Sequence, residues 1–225
     1  SDELISIIAN SFLQKGDKAM VLAPDFSMYK FYLELAECEC ITYGKKEDFS
    51  VDFDNLIYTV KSREIKLIIF SNPCNPTSVG FTAEQMRRFI RSVDALVVLD
   101  EAYMDFYDQS LINESADYDN LIILRTCSKA FGMAAIRLGF AVANKTLTNA
   151  LRSTKSPYNV NSVTQAIGCV LFRHPDYLRD CIDKIKKSRD ELYNKLTTLQ
   201  RLNPGRIRVV EPVTNFVYVW QDNAG

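Results

Sequence analysis

Five short, largely apolar runs recur along the chain, Ala19 to Leu22, Leu67 to Ser71, Leu96 to Leu99, Leu121 to Leu124 and Phe140 to Ala143, with a further β-like run at Cys38 to Tyr43. A strand that is apolar at every position has no side to turn to water, so it must be covered on both faces. The intervening segments supply the cover. Leu4, Ile5, Ile8, Phe12 and Leu13 follow a helical period after Ser1, with Asp2 and Glu3 in the first turn and Gly16 past the end. Further helices are expected over Phe26 to Glu37, Asp54 to Ser62, Ala83 to Val93, a short piece near Leu111, Lys145 to Thr154 and Val160 to Arg173. The alternation predicts an α/β fold, a mostly parallel sheet with helices on both faces. Pro175 then opens a long amphipathic helix to about Leu199, followed by β-like runs at Ile207 to Val210 and Phe216 to Trp220 on either side of Pro212. This change of pattern sets a boundary: residues 1–174 form a large domain, and 175–225 the long helix and part of a small α+β domain.

Charge and composition exclude several functions. Lys+Arg 27 against Asp+Glu 28 leaves a formal charge of -1, which gives no global attraction to nucleic acid or anionic lipid. No stretch reaches the roughly 18 apolar residues of a membrane span, and the opening SDELISIIANSF lacks a signal peptide's basic region. The expectation is a cytoplasmic protein with reduced thiols. Six cysteines without CxxC spacing favour neither a zinc site nor a disulfide scaffold, and no metal site is expected. The single histidine, His174, precedes Pro175 and reads as a surface helix cap. Because the chain opens on a helix with no initiator Met, it reads as a fragment.

In open α/β sheets ligands bind beyond the carboxyl ends of the strands. Three segments there are polar: SNPCNPT at 71 to 77, DEAY at 100 to 103, and RTCSK at 125 to 129. Taken singly each is weak. Asp100 alone reads as a cap or loop salt bridge, and Lys129 alone as one more solvated lysine. Arg137, among the apolar residues of AAIRLGF, requires an anionic partner, and a phosphate suits its planar fork. Together a lysine amine able to condense with an aldehyde, an acid, a hydroxyl pair and an arginine could hold a phosphorylated pyridine aldehyde.

The order and spacing of SDE at 1 to 3, APDFSMY at 23 to 29, SNPCNPT, DEAY, TCSKAFGMAAIRLG at 126 to 139 and PYNVN at 157 to 161 resemble the type I fold pyridoxal-phosphate aminotransferases, specifically the histidinol-phosphate aminotransferase group. The resemblance implies that 1–174 is a cofactor-binding large domain. Lys129 then corresponds to the lysine that bonds pyridoxal 5'-phosphate and moves the substrate proton, Asp100 to the acid on the pyridine nitrogen, and Tyr103 and Asn75 to the donors on the ring oxygen. Phe26 corresponds to the aromatic stacked on the ring. Thr126, Ser128, Arg137 and the helix start at Ser1 and Asp2 correspond to the phosphate contacts.

The implied partners are a small-molecule amino donor, an amino acid or a histidinol-phosphate-like amino phosphate, and a 2-oxo acid. A homodimer meeting at Phe26 to Glu37 and PYNVN is implied as well. Ser78 stands where the family usually has glycine, an expected change in the turn. The family's N-terminal arm and substrate-carboxylate arginine fall outside these residues, so the chain is expected to bind cofactor yet transaminate poorly by itself. Two other readings stay open: a lyase like threonine-phosphate decarboxylase, which shares the cradle, and a non-catalytic binding module that keeps the fold.

Overall fold

A computed structural model describes residues 2–221. Its main sheet has strands β1 (Lys18–Ala23), β2 (Glu39–Gly44), β3 (Leu67–Ser71), β4 (Leu96–Asp100), β5 (Leu121–Thr126) and β6 (Gly139–Val142) in the order β2-β1-β3-β4-β5-β6. All neighbours run parallel except β5 and β6, which are antiparallel. The expected mostly parallel α/β architecture is therefore present.

The apolar runs divide between two cores because side chains alternate along a strand. Met20, Leu22, Ile68, Phe70, Val97, Leu99, Leu121 and Ile123 face one side, with Leu56 and Val60 of α3 (Phe53–Ser62) and Met86, Phe89 and Ile90 of α4 (Ala83–Ser92). Ala19, Val21, Leu67, Ile69, Val98, Ile122 and Leu124 face the other. There they meet α1 (Asp2–Phe12), α2 (Met28–Leu35) and α5 (Lys145–Thr154).

Local chemistry sets the helix limits. Thr82 and Gln85 form a reciprocal capping box at the start of α4. Asn144 caps α5 by accepting from the Leu147 amide at 2.9 Å, and Asn161 caps α6 (Ser162–Leu171) by accepting from Thr164 at 2.9 Å. The Asn161 cap starts α6 two residues later than the Val160 expected from periodicity. Helix α2 begins at Met28 rather than Phe26, since the Asp25 side chain accepts the Phe26 amide at 2.8 Å and holds it outside the helix. His174 is exposed and occupies the N-cap position of α7 (Pro175–Leu202), but its side chain makes no cap hydrogen bond.

The C-terminal segment corrects one expectation. Strand β8 spans only Val219–Gln221, paired antiparallel with β7 (Ile207–Val209). Phe216 lies outside it, turned instead onto Tyr103 with ring centroids 5.3 Å apart at 86°. Burial against an aromatic at the sheet edge outweighs strand propensity there. Residues Ile182 and Ile185 of α7 pack against the same group, beside Ala102 and Phe106.

The two-core arrangement sets the stability cost of single changes. Phe70 is fully buried between Phe81 and Phe89, so Phe70→Ala is expected to cost about 3–5 kcal/mol. Exposed Tyr58→Ala should change stability by no more than about 0.5 kcal/mol. Urea denaturation of both variants measures the contrast, and equal losses would contradict it.

Candidate active site

The parallel register brings three polar segments to one edge. Ser71 at the end of β3 is the register partner of Asp100 at the end of β4, and Asp100 is the partner of Leu124, two residues before the end of β5. A cavity of about 210 Å³ opens at this edge. Asp2, Phe26, Asn75, Asp100, Tyr103, Thr126, Ser128, Lys129 and Arg137 line it. Ser1, the remaining residue expected at the phosphate contacts, lies outside the described residues.

Asp100 is 4% exposed. Its carboxylate accepts the Tyr29 hydroxyl at 2.8 Å and the Ala102 amide at 3.0 Å. Burial pushes its pKa up to about 6, with those two bonds opposing and the nearby Asp25 carboxylate adding to the rise. Glu101, the next residue, is also fully buried, but it is accounted for elsewhere. Ser110 donates to it at 2.6 Å and Arg125 at 3.1 Å, and Arg125 also reaches Asp105 at 2.6 Å. Asp100 is left as the acid facing the cavity.

The Asn75 amide donates to the Tyr103 hydroxyl at 3.2 Å. Asn72 pins the same loop by donating to the Phe81 carbonyl at 3.1 Å and accepting the Phe81 amide at 2.7 Å. Lys129 is solvent-accessible, and its Nζ stands 5.4 Å from the centroid of the Tyr103 ring. Thr126 accepts the Ser128 amide at 3.1 Å, and both residues line the cavity together with Arg137. Phe26 meets Tyr29 edge-on at 5.4 Å, so a flat aromatic surface borders the space above Asp100.

Two expectations need correction. Arg137 is not buried among its apolar neighbours: its side chain is 63% exposed and pairs with Asp2 at 3.1 Å. The short 3₁₀ turn Ala134–Ile136 and a left-handed φ of 54° at Arg137 swing it from the apolar row to the cavity rim. Ser78, expected to alter its turn, adopts the glycine-like φ of 62° instead. Its hydroxyl is buried, bonds the Thr214 hydroxyl at 2.6 Å and accepts the Val213 amide at 3.2 Å, and so ties the C-terminal segment to the site.

Sequence reasoning missed Tyr29, Ser71, Asp25 and Lys45. Tyr29 follows Phe26 by one helical turn, a usable signal. The Asp25–Lys45 ion pair, 1% exposed on both sides, had none, because the partners come from different loops. Burial raises the Asp25 pKa, with Lys45 and the Ser71 bonds opposing.

The arrangement fits a phosphorylated pyridine aldehyde. Asp100 keeps acceptor capacity beyond its two donors, and the Lys129 amine, the Tyr103 phenol, the Thr126 and Ser128 hydroxyls and the Arg137 guanidinium belong to residues that line the same cavity. Among the described residues no cluster of histidine, cysteine or carboxylate side chains is placed to hold a metal, and no helix is long and apolar enough to cross a membrane.

Residues 1–224 match the family described as aminotransferase class I and II. Histidinol-phosphate aminotransferase of Clostridium novyi is 41% identical over 224 residues, covering 100% of this chain and 62% of that protein. The Clostridium kluyveri enzyme of the same name is 37% identical, covering 97% of this chain and 61% of its own length. The chain thus spans roughly three-fifths of these relatives. Among solved structures, histidinol-phosphate aminotransferase from Sinorhizobium meliloti in complex with pyridoxal-5'-phosphate superposes with a TM-score of 0.87 at 23% identity, covering 97% of this chain and 59% of that one. L-threonine-O-3-phosphate decarboxylase from Porphyromonas gingivalis gives 0.76 at 24%, covering 95% and 62%. Both likenesses concern the fold.

The raised pKa of Asp100 makes stability depend on pH. A folded-state value of about 6 against an ordinary 3.8 means that the folded protein holds this proton more tightly than the unfolded chain. Its contribution is fully present below the unfolded value and is lost as pH rises through the folded one, a change of about 3 kcal/mol. The Asp100→Asn variant has no such proton. Between about pH 4 and pH 7 its stability should therefore gain on the wild type by that amount in urea titrations. Parallel stability curves would contradict the buried, proton-holding Asp100.

Proposed function

The chain belongs to the class I and II aminotransferase family, and from that premise we propose that it is a pyridoxal-phosphate-dependent aminotransferase that moves an amino group between a histidinol-phosphate-like amino compound and a 2-oxo acid. The observation that carries the reading is the convergence of Asp100, Asn75, Tyr103, Lys129 and Arg137 on one cavity. The 41% identity to a histidinol-phosphate aminotransferase supports the substrate class. The reaction belongs to amino-acid biosynthesis.

When bound, pyridoxal phosphate supplies an electron sink for the charge that develops at the substrate α-carbon. The chain's own groups do the rest. Asp100 holds a proton on the ring nitrogen through its remaining acceptor sites. Asn75 and Tyr103, already bonded to each other, donate to the ring oxygen. Phe26 covers one ring face and excludes water. Thr126, Ser128, Arg137 and the amide end of α1 take the phosphate, displacing the Asp2 carboxylate from Arg137. Lys129 Nζ would hold the aldehyde carbon and, once the substrate amine displaces it from that carbon, would be free as the base for the substrate α-carbon proton.

A homodimer fits α2 and the loop at 157–161, where Phe31, Leu35 and Tyr158 hold large apolar side chains in solvent. Six free cysteines, three of them buried, suit the reducing cytoplasm. Residues 1–174 serve as the cofactor-binding domain, and 175–225 begin the smaller one.

Borohydride reduction of the protein loaded with pyridoxal phosphate should fix one cofactor to the peptide carrying Lys129. Label on another lysine, or none, would overturn the reading. Arg137→Leu should weaken pyridoxal phosphate by about 10- to 150-fold, the worth of charge-assisted hydrogen bonds. It should leave unphosphorylated pyridoxal within about twofold, well under the roughly 1.4 kcal/mol of a tenfold change. Equal weakening of both ligands in equilibrium titrations would place Arg137 away from the phosphate.

A further inference from the structure

Behind the cavity wall lies a group that the proposed chemistry does not use. Lys45, just after β2, and Asp25, just after β1, form an ion pair at 3.3 Å with both side chains 1% exposed. Water reaches neither charge, and a buried pair of this kind adds little to stability over apolar side chains of similar size. What the carboxylate contacts is more informative. Its Oδ1 accepts the Phe26 amide at 2.8 Å and the Ser71 hydroxyl in a short bond. Its Oδ2 accepts the Ser71 amide at 3.3 Å as well as Lys45. The Ser71 hydroxyl in turn accepts the Asn75 amide at 3.3 Å, and Lys45 donates to Cys74 Sγ in the same turn at 3.0 Å.

We propose that Asp25, paired with the buried Lys45, is a positioning residue for the cofactor site, fixing Phe26 at the face of the ring and Asn75 at its edge through one carboxylate. The two contacts come from different loops, one after β1 and one after β3, and the Cys74 Sγ bond to the Pro24 carbonyl at 3.5 Å is a second, weaker tie between the same loops. The ion pair makes the carboxylate a charge-assisted acceptor for three donors at once. An apolar residue at 25 could fill the space but accept from none of them. Lys45 holds the opposite side of the turn through Cys74, so Asn75 is braced from both directions and its amide group stays on the Tyr103 hydroxyl.

This inference rests on the pyridoxal phosphate reading, and the tests separate the two. The variants are Asp25→Asn, which keeps the volume but removes the charge, and the double variant Asp25→Leu with Lys45→Met, which leaves no buried charge unpaired. In cofactor-free protein, hydrogen exchange at the Phe26 and Asn75 amides should quicken at least about tenfold in the double variant, and in the same direction in Asp25→Asn, the loss of roughly one hydrogen bond's worth of protection. Amides of Leu67 to Phe70 in β3 and of β4 should keep their wild-type rates, whereas Ser71, whose amide donates to Asp25, is left out of that control. In the protein loaded with pyridoxal phosphate, the pH midpoint of the visible absorbance change should rise by about half to one unit, because the ring oxygen loses a fixed donor. Unchanged exchange at both amides, exchange that quickens equally in the strands, or an unchanged midpoint would each overturn the positioning role. If the double variant does not fold, Asp25→Asn decides by the same readouts. Wild-type protein that gives no visible band with pyridoxal phosphate would overturn the cofactor reading alone, since the exchange experiment still judges the positioning.

Discussion

A sheet covered on both faces leaves polar groups only the two edges where its strands end, and the candidate site residues gather at the carboxyl one. The apolar runs Leu67 to Phe70, Leu96 to Leu99 and Leu121 to Leu124 carry no charge, and each strand ends in a polar residue: Ser71, Asp100 and Thr126. Parallel register then sets these ends side by side. Had β4 run antiparallel, Asp100 would sit at the opposite edge, away from the loops after β3 and β5.

Three acids with buried side chains stand at that edge: Asp25 is paired with Lys45, and the different fates of the other two, Glu101 and Asp100, explain its chemistry. Glu101 is saturated by Ser110 and Arg125, so it braces the structure. Asp100 has two neutral donors and, among the described residues, no ion-pair partner, so its carboxylate is held in place without a paired cation. Burial raises its pKa, and a protonated ring nitrogen would supply the cation that its carboxylate lacks. The site is complementary to a ligand with a cation at one end and a phosphate at the other, where Arg137 makes exposed contacts with the Asp2 carboxylate and the Ala134 carbonyl.

Much of this was legible in the sequence for a physical reason. Strand ends and the residues just after them are local properties, and Asp100, Asn75, Thr126, Ser128 and Lys129 could be read from apolar runs and the polar segments that interrupt them. The antiparallel placement of β6 was not legible, since a run of four residues carries no direction. Arg137 misled because apolar neighbours suggest burial, whereas one left-handed residue redirected its side chain. Asp25 and Lys45 were invisible because their meaning lies in a contact between loops twenty residues apart. Phe216 departed from its expected strand because a tertiary contact with Tyr103 won over local preference.

The central claim is that Asp100 keeps a proton on the nitrogen of a bound pyridine ring. Nuclear magnetic resonance of protein loaded with pyridoxal phosphate labelled with nitrogen-15 reads that proton directly. The account expects a pyridinium signal in the wild type at neutral pH and an unprotonated pyridine signal in Asp100→Asn. An unprotonated ring in the wild type, or a protonated ring in both proteins, would contradict it.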